Sequence, residues 1–170
     1  MAPKLAAFLV VIFVASSFAS AGKTRGLSTA EERARALEYV QSLEEHPLAK
    51  DGLEKRMWLT EWLVQAPDVR VFCSKQFKVL ESLDKVNDTY SNQLRMQVLY
   101  SQAAFELQHP EEKNPAAIQA AGLAGTLRAY RAIQLFDPTA RYPQLDNLMS
   151  LERQGKLQKY VQKQTKHSKG

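Results

Sequence analysis

Cysteine and histidine are scarce in this chain, and the shortage excludes several classes of protein. The 170 residues include one cysteine, Cys73, and three histidines, His46, His109 and His167. A single cysteine cannot build a disulfide scaffold. No Cys-x-x-Cys or His-x-x-x-His pair is present, so a site using His46, His109 and Cys73 would have to be assembled by the fold. We therefore expect neither a metal nor a cofactor.

The common signatures of enzymes are also missing. The sequence lacks a Gly-x-Ser-x-Gly nucleophile elbow, a phosphate-binding P-loop and a glycine-rich dinucleotide loop. The best enzymatic case is Cys73 paired with a histidine, because Arg70 and Lys75 lie nearby and a positive setting favours the thiolate. The alternative is a small buried side chain beside Phe72 and Phe77. We favour burial, and with it a non-enzymatic protein.

Beyond its first residues the chain has no apolar run long enough to cross a membrane. Residues 1–21 combine a basic start, an apolar run and the small residues Ala-Ser-Ala at 19–21, which is typical of a cleaved signal peptide. The alternative is an uncleaved anchor, since the uncharged residues 5–22 approach the roughly 17–25 residues that span a bilayer. We expect an exported protein, periplasmic or secreted.

Charge is distributed unevenly. Residues 22–152 carry 16 basic and 18 acidic side chains, whereas residues 153–170 carry six basic side chains and no acidic one. The net charge of +5 therefore does not describe a basic binding face, which weighs against nucleic acid as a partner. We predict a signal peptide at 1–21, a helical domain at 22–152 and a basic C-terminal tail at 153–170.

The tail has two interpretations. Its basic residues Lys156, Lys159 and Lys163 follow helical spacing, and the apolar residues Leu157, Tyr160 and Val161 lie opposite them. Such a segment can rest on an anionic membrane surface. A solubilising, disordered tail explains the same composition and is favoured.

Apolar residues at three- and four-residue spacing dominate the rest of the chain, and they predict an all-α fold, a compact bundle or short solenoid of about six helices. Starts are predicted from a Ser28/Glu31 capping box and from the caps Asp51, Asp88, Asn114-Pro115 and Pro143. Ends are predicted at His46-Pro47, Ala66-Pro67, His109-Pro110, Asp137-Pro138 and Gly155. The segment "HPLAKD" recurs as "HPEEKN", so both histidines are interpreted as helix ends.

Three further patterns bear on packing and binding. Within residues 52–65, the stretch from Met57 to Val64 is apolar nearly all round, which predicts a central, buried helix. Trp58 and Trp62 are interpreted as core or, alternatively, as an aromatic platform for a ligand. A helix is predicted from about Phe72, although Val69, Val71 and Cys73 alternate as they would in a strand. Gly122 and Gly125 indicate a close approach of another helix or of a ligand. Asn87 begins an Asn-Asp-Thr glycosylation acceptor, which matters only in a eukaryote.

The stretch "AGTLRAYRAIQLFDP" at 124–138 resembles the second helix and closing proline of a tetratricopeptide repeat, a helical-hairpin scaffold that binds peptides. The match covers one helix, and the repeat period does not recur. "WLVQAPDVRVFC" with "GTLRAYRAI" also resembles a group of uncharacterised exported helical proteins of bacteria. These observations lead us to predict a non-enzymatic interaction module for a protein or peptide, with Trp58, Trp62, Lys156, Lys159 and Lys163 as candidate contacts. The alternatives are a small enzyme using Cys73 and a peripheral membrane protein held by the tail.

Overall fold

The computed structural model describes residues 25–72 and 89–167, with Leu80 and Leu83 between them. Within these residues the chain forms helices and no strand: α1 Ala30–Glu45, α2 Gly52–Gln65, α3 Ser91–Gln108, α4 Pro115–Phe136, α5 Pro143–Arg153 and α6 Leu157–His167. The prediction of an all-α bundle is confirmed. Across the described part of the chain, every helix is too short or too polar to traverse a lipid bilayer.

Proline fixes most of the helix boundaries. Four helices end directly before a residue–proline pair, as predicted: His46-Pro47, Ala66-Pro67, His109-Pro110 and Asp137-Pro138. The proline ring disfavours helical backbone in the residue before it, so the helix stops there. Pro115 and Pro143 instead begin α4 and α5, where a missing N–H group leaves no hydrogen bond unmade.

The capping box at the start of α1 lies one residue later than predicted. The Glu32 N–H donates to Thr29 Oγ1 at 3.1 Å, and the Thr29 N–H donates to Glu32 Oε2 at 2.9 Å. The predicted pair, Ser28 and Glu31, does not form the box. Ser28 donates through its N–H and its hydroxyl to Asp68 Oδ1, at 2.9 and 3.0 Å, and so ties the chain before α1 to the end of α2.

The other predicted caps behave differently from one another. Asn114 accepts a hydrogen bond from the backbone N–H two residues later at 3.0 Å, which is the predicted cap of α4. Asp51 occupies the cap position of α2, but its carboxylate pairs with Lys55 at 2.9 Å and caps no N–H group. Tyr90 precedes α3 without a side-chain cap. Asp88, the predicted cap of that helix, lies outside the described residues.

Two clusters of buried apolar side chains form the core, and α3 contributes to both. The first cluster joins α1 and α2 to Tyr100 and Ala103 of α3. The second joins Leu94 and Val98 of α3 to α4, α5 and α6. The most extensive helix contact is the one between α3 and α4. Among the described helices, α4 has the most neighbours, since it contacts α1, α3, α5 and α6, whereas α3 is the helix that contributes to both clusters.

The prediction that α2 is the central, buried helix is wrong. Leu59 and Trp62 are buried on the side that faces α1, whereas Met57 is 65% exposed and Val64 is 83% exposed. The apolar residues of α2 divide between two opposite faces, and only one of these faces packs against the body. An apolar pattern that runs all round a helix is typical of burial, but it does not supply a second neighbour to cover the outer face.

The segment predicted as a basic tail contains a docked helix. In α6, Leu157 is 7% exposed and Val161 is fully buried, and both belong to the cluster built on α4. Gly155 adopts a φ of 66° at the end of α5, as a C-cap glycine does. The predicted boundary at residue 152 therefore divides one packed unit, because the apolar side of α6 covers α4.

Several predictions fall on residues that the structure does not describe. These are the signal peptide at 1–21, the thiol of Cys73, most of the helix predicted from about Phe72, and the glycosylation acceptor Asn87. Phe72 itself is described and lies outside any helix. Its N–H donates to Gln102 Oε1 at 2.8 Å, which fixes the chain after α2 to α3.

Candidate interaction surface

The structure places His46 and His109 at equivalent helix ends. His46 follows α1 with φ −134° and ψ 60°, and His109 follows α3 with φ −131° and ψ 63°. Each carbonyl then accepts from the N–H three residues later, at 3.1 Å and 2.9 Å respectively. The repeated His-Pro segments are therefore the same backbone turn used twice, which is the interpretation that the sequence favours.

The histidine side chains form no chemical cluster in the described part of the chain. Both imidazoles are exposed, and that of His109 packs on the ring of Phe105 with centroids 4.5 Å apart. Among the described residues, no group of three His, Cys, Asp or Glu side chains is placed to hold a metal ion. Cys73 and the side chain of His167 lie outside that part.

The tryptophan pair lies between α1 and α2. Trp62 is 2% exposed, and its ring stacks on that of Trp58 with centroids 5.9 Å apart. Trp58 is half-buried, with the edge of Tyr39 at 5.4 Å and the Arg35 guanidinium over its face at 5.4 Å. The pair therefore attaches α2 to α1, and Tyr39 and Arg35 of α1 contact the Trp58 ring.

The lysines at the start of α6 and along it are exposed, but the apolar side of that helix is not. Lys156, Lys159 and Lys163 face solvent, while Leu157 and Val161 are buried against α4. An amphipathic helix binds a membrane mainly by inserting its apolar face. In this fold only the lysine face of α6 is left for such a contact.

A polar cluster joins three helices at a point that the sequence does not indicate. The Glu44 carboxylate of α1 is almost buried and accepts from Ser101 Oγ of α3 at 2.6 Å and from Arg128 Nε of α4 at 2.7 Å. Gln97 donates to Ser101 Oγ at 3.1 Å. Gly125 completes this arrangement, which we call the Glu44 junction (Glu44, Ser101, Gly125 and Arg128).

Gly125 makes the Glu44 junction possible. A Cβ atom added at Gly125 would lie 2.0 Å from Ser101 Oγ and 2.2 Å from Glu44 Oε1. No side chain fits at these distances, so glycine allows both oxygens to reach the α4 backbone. Gly122, one turn earlier, has the same role against Val98 O and Gln102. The close helix approach predicted for both glycines is what the structure contains.

A cleft of about 590 Å³ opens above the Glu44 junction between α1, α3 and α4. Small residues on two helices, Ala104, Ala121 and Ala124, widen it, and Glu38 and Arg128 stand among its lining residues. The guanidinium of Arg128 is already paired with Glu44, which is the simplest account of its place there. The junction therefore serves first to hold α1, α3 and α4 together.

The outer face of α2 carries a row of exposed apolar side chains. Leu53 and Met57 are each 65% exposed and Val64 is 83% exposed. With Thr60, which is also exposed, they form a line along one side of the helix. We call Leu53, Met57, Thr60 and Val64 the α2 stripe. Contiguous exposed apolar residues commonly mark a surface that binds another protein.

A groove of about 660 Å³ runs between the α2 stripe and α3. Its far wall consists of Asn92, Gln93, Met96 and Tyr100. At the base, the Tyr100 hydroxyl hydrogen-bonds to Thr60 Oγ1 at 2.7 Å and donates to the Arg56 carbonyl at 3.1 Å. Burial raises the pKa of Tyr100, so the hydroxyl stays protonated and keeps the two walls in register.

One charge of each sign borders the groove. The Arg56 guanidinium is half-buried, donates to the Pro47 carbonyl at 3.1 Å and has no carboxylate partner among the described residues. Burial lowers the pKa of Arg56, which shows that its charge has lost part of its hydration. Glu61 is exposed on the other side of the stripe and accepts only from Gln65, at 3.2 Å. Both charges are available to a partner.

The sequence contains a signal for this surface. Leu53, Met57, Thr60 and Val64 follow one another at intervals of four, three and four residues, the spacing of a helix-pairing seam. In the sequence this spacing is hard to see, because the opposite face of α2 also carries aromatic and aliphatic residues.

No protein-family model, curated protein or solved structure matches this chain.

Proposed function

We propose that this chain is a non-enzymatic interaction module that binds an amphipathic helix of a protein partner along the α2 stripe. The observation that carries the proposal is the row of exposed side chains Leu53, Met57 and Val64 beside an apolar groove. Covering apolar surface is favourable by about 25 cal/mol per Å². A partner that covers these exposed side chains would therefore gain binding free energy from the apolar surface it removes from water.

The groove specifies the chemistry of the partner. A helix laid along the stripe needs apolar residues every three or four positions. It also needs a carboxylate that reaches Arg56 and a basic side chain that reaches Glu61, because a desolvated guanidinium without a counter-charge is unfavourable. Such pairs determine the orientation and the choice of partner more than the affinity.

The proposed location is outside the cytoplasm, in the periplasm or secreted, and it depends on the signal-like residues 1–21. A cysteine-dependent enzyme using Cys73 remains a hypothesis without support from the described residues. Membrane binding through the tail has less support from the structure than from the sequence, since α6 uses its apolar side to cover α4.

The test uses a labelled synthetic peptide of two heptads with leucine at positions a and d, lysine at g and glutamate at e. Fluorescence anisotropy should show binding to the full chain with a dissociation constant in the micromolar range. Met57→Asp should abolish the binding, because it places a charge in the middle of the stripe. Leu135→Asp is the matched control, since Leu135 is 88% exposed on α4, away from the groove.

A second peptide with lysine at both e and g tests the proposed charge complementarity. It should bind more weakly, because in either orientation it places a lysine beside Arg56. Absence of binding by both peptides, or equal loss in the Met57→Asp and Leu135→Asp variants, would overturn the proposal.

A further inference from the structure

We infer that the helix that occupies the α2 stripe is α2 of a second copy of this chain, paired in parallel about a two-fold axis. This inference rests on the proposed function, since it names the partner for the same surface. It follows from the heptad register of α2, from the placement of its two charges, and from the face by which α2 is attached to the body.

The α2 stripe has the register of a coiled-coil seam. Leu53 and Thr60 fall at d positions, and Met57 and Val64 fall at a positions. In a parallel pair each of these residues meets its own counterpart across the axis. A continuous seam of this kind, exposed over the length of one helix, is complementary to itself, which is what a two-fold interface requires.

The charges select the parallel orientation. In the same register Arg56 is a g residue and Glu61 is the e residue five positions later. Parallel helices bring a g residue of one chain beside the e residue of the next heptad in the other. Arg56 would therefore meet Glu61 of the second copy, and the symmetry would form this pair twice.

An antiparallel pair would bring like flanks together, g beside g and e beside e. Arg56 would then lie on the same side as Arg56 of the second copy, and Glu61 on the same side as its own counterpart. Like charges in such positions oppose pairing. Arg56 and Glu61 form no salt bridge within the described residues, and a parallel dimer would pair them with each other.

The attachment of α2 leaves room for a second chain. Leu59 and Trp62 pack into the body, and they lie on the side of α2 opposite to the stripe. Two copies can therefore approach stripe to stripe with their bodies on the outside. The groove beside the stripe, walled by Met96 and Tyr100, gives the second helix a lateral contact on α3.

The dimer should be weak and dependent on concentration. The seam covers less than two full heptads, and Thr60, which already hydrogen-bonds to Tyr100, is a polar residue at a d position. Short seams with a polar core residue lose stability but keep their register. We expect a monomer–dimer equilibrium in the micromolar range.

Sedimentation equilibrium of the chain, purified after expression from its full-length coding sequence, tests the inference. Arg56→Glu and Glu61→Arg should each weaken the dimer about tenfold, since each loses both symmetric pairs and gains repulsion. The double variant should restore the wild-type constant. Mixing the two single variants should give a heterodimer in preference to either homodimer. Circular dichroism confirms that each variant keeps its helical content, and Leu135→Asp serves as the neutral control.

The parallel orientation of the two α2 helices is tested by disulfide cross-linking. In a Cys73→Ser background, Met57→Cys should form an intersubunit disulfide on mild oxidation, because an a residue faces its counterpart only in the parallel pair. A dimer that resists Met57→Asp, or one without cross-linking at position 57, overturns the inference. A monomer at all concentrations overturns it too. In that case binding of the synthetic peptide shows that the proposed function survives, and absence of binding shows that both have failed.

Discussion

The Glu44 junction and the α2 stripe show opposite relations between residue type and burial. At the junction, a glutamate, a serine and a glycine are enclosed between three helices. Along the stripe, leucine, methionine and valine side chains stand in water. Judged by polarity alone, the glutamate and serine of the junction would be exposed and the apolar residues of the stripe would be buried. At these two places, burial depends on which helices meet more than on the hydrophobicity of single residues.

The two regions differ in how closely neighbouring helices cover them. The carboxylate at the junction is tolerated since a serine hydroxyl and a guanidinium supply its hydrogen bonds, which is the condition for burying a charge. Within the described residues, the stripe borders α3 across an open groove. We therefore expect substitutions at the junction to change stability and substitutions in the stripe to change association.

The largest effect expected at the Glu44 junction is that of Gly125→Ala. The new methyl group would meet Ser101 Oγ at 2.0 Å and Glu44 Oε1 at 2.2 Å, so α3 and α4 must separate or the carboxylate must leave its partners. Overpacking of this kind costs about 3 kcal/mol. Urea denaturation measures the loss. Gly26→Ala is the matched control, because nothing lies within 4 Å of its added Cβ, and a similar loss in both variants would contradict the proposed role.

A smaller effect is expected from the ionisation of Tyr130 in the body. Burial raises its pKa to about 12, while its hydroxyl donates to Asp146 at 3.0 Å and accepts from Gln134 at 2.8 Å. In the unfolded chain a tyrosine titrates near 10. The stabilisation is therefore complete below pH 10 and is lost as the pH rises toward 12, by no more than about 2 kcal/mol.

The measurement is the free energy of unfolding between pH 9 and about 12, compared with that of Tyr130→Phe. The variant starts from a lower stability, because it loses the hydroxyl, but its stability should fall less steeply over this range. Met57→Asp, a change in the stripe, should keep the steep wild-type slope. Parallel curves for wild type and Tyr130→Phe would show that another group controls the alkaline transition.

The smallest expected effect on folding is that of Met57→Asp. Because Met57 is 65% exposed, its replacement should change the free energy of unfolding by no more than about 0.5 kcal/mol. Leu59→Asp, two residues later on the same helix, should prevent folding, since it places an unpaired charge at a fully buried position. Thermal denaturation followed by circular dichroism compares the two. Equal destabilisation would mean that the stripe is part of the core.

The helices and their ends could be predicted from the sequence because their causes are local. A proline acts on the residue before it, and a cap acts on N–H groups two or three residues away. His46-Pro47 and His109-Pro110 therefore mark helix ends that the structure reproduces in nearly the same backbone angles. The error at Ser28 was of one residue, because two adjacent hydroxyls, each followed three residues later by a glutamate, offered the same motif.

The pairing of helices could not be predicted from one sequence. Glu44 sits next to Glu45 at the end of α1, and nothing in that pair shows that one carboxylate is buried while the other is exposed. The two carboxylates differ because Ser101 and Arg128, which lie far along the chain, donate hydrogen bonds to Glu44. The same holds for α6, whose docking depends on the exposed side of α4. The burial of Glu44 and the docking of α6 both depend on contacts between residues far apart in the chain, and the periodicity of a single segment does not predict such contacts.

One consequence follows from the position of α3 in both clusters of the core. Leu94 and Val98 of its first half belong to the cluster with α4, α5 and α6, and Tyr100 and Ala103 of its second half belong to the cluster with α1 and α2. Helix formation is cooperative, and Ser101 of the second half also lies against α4, so α3 couples the two clusters. Loss of either half should therefore propagate to the other, so the chain should unfold in a single cooperative transition and neither half should survive as an excised fragment.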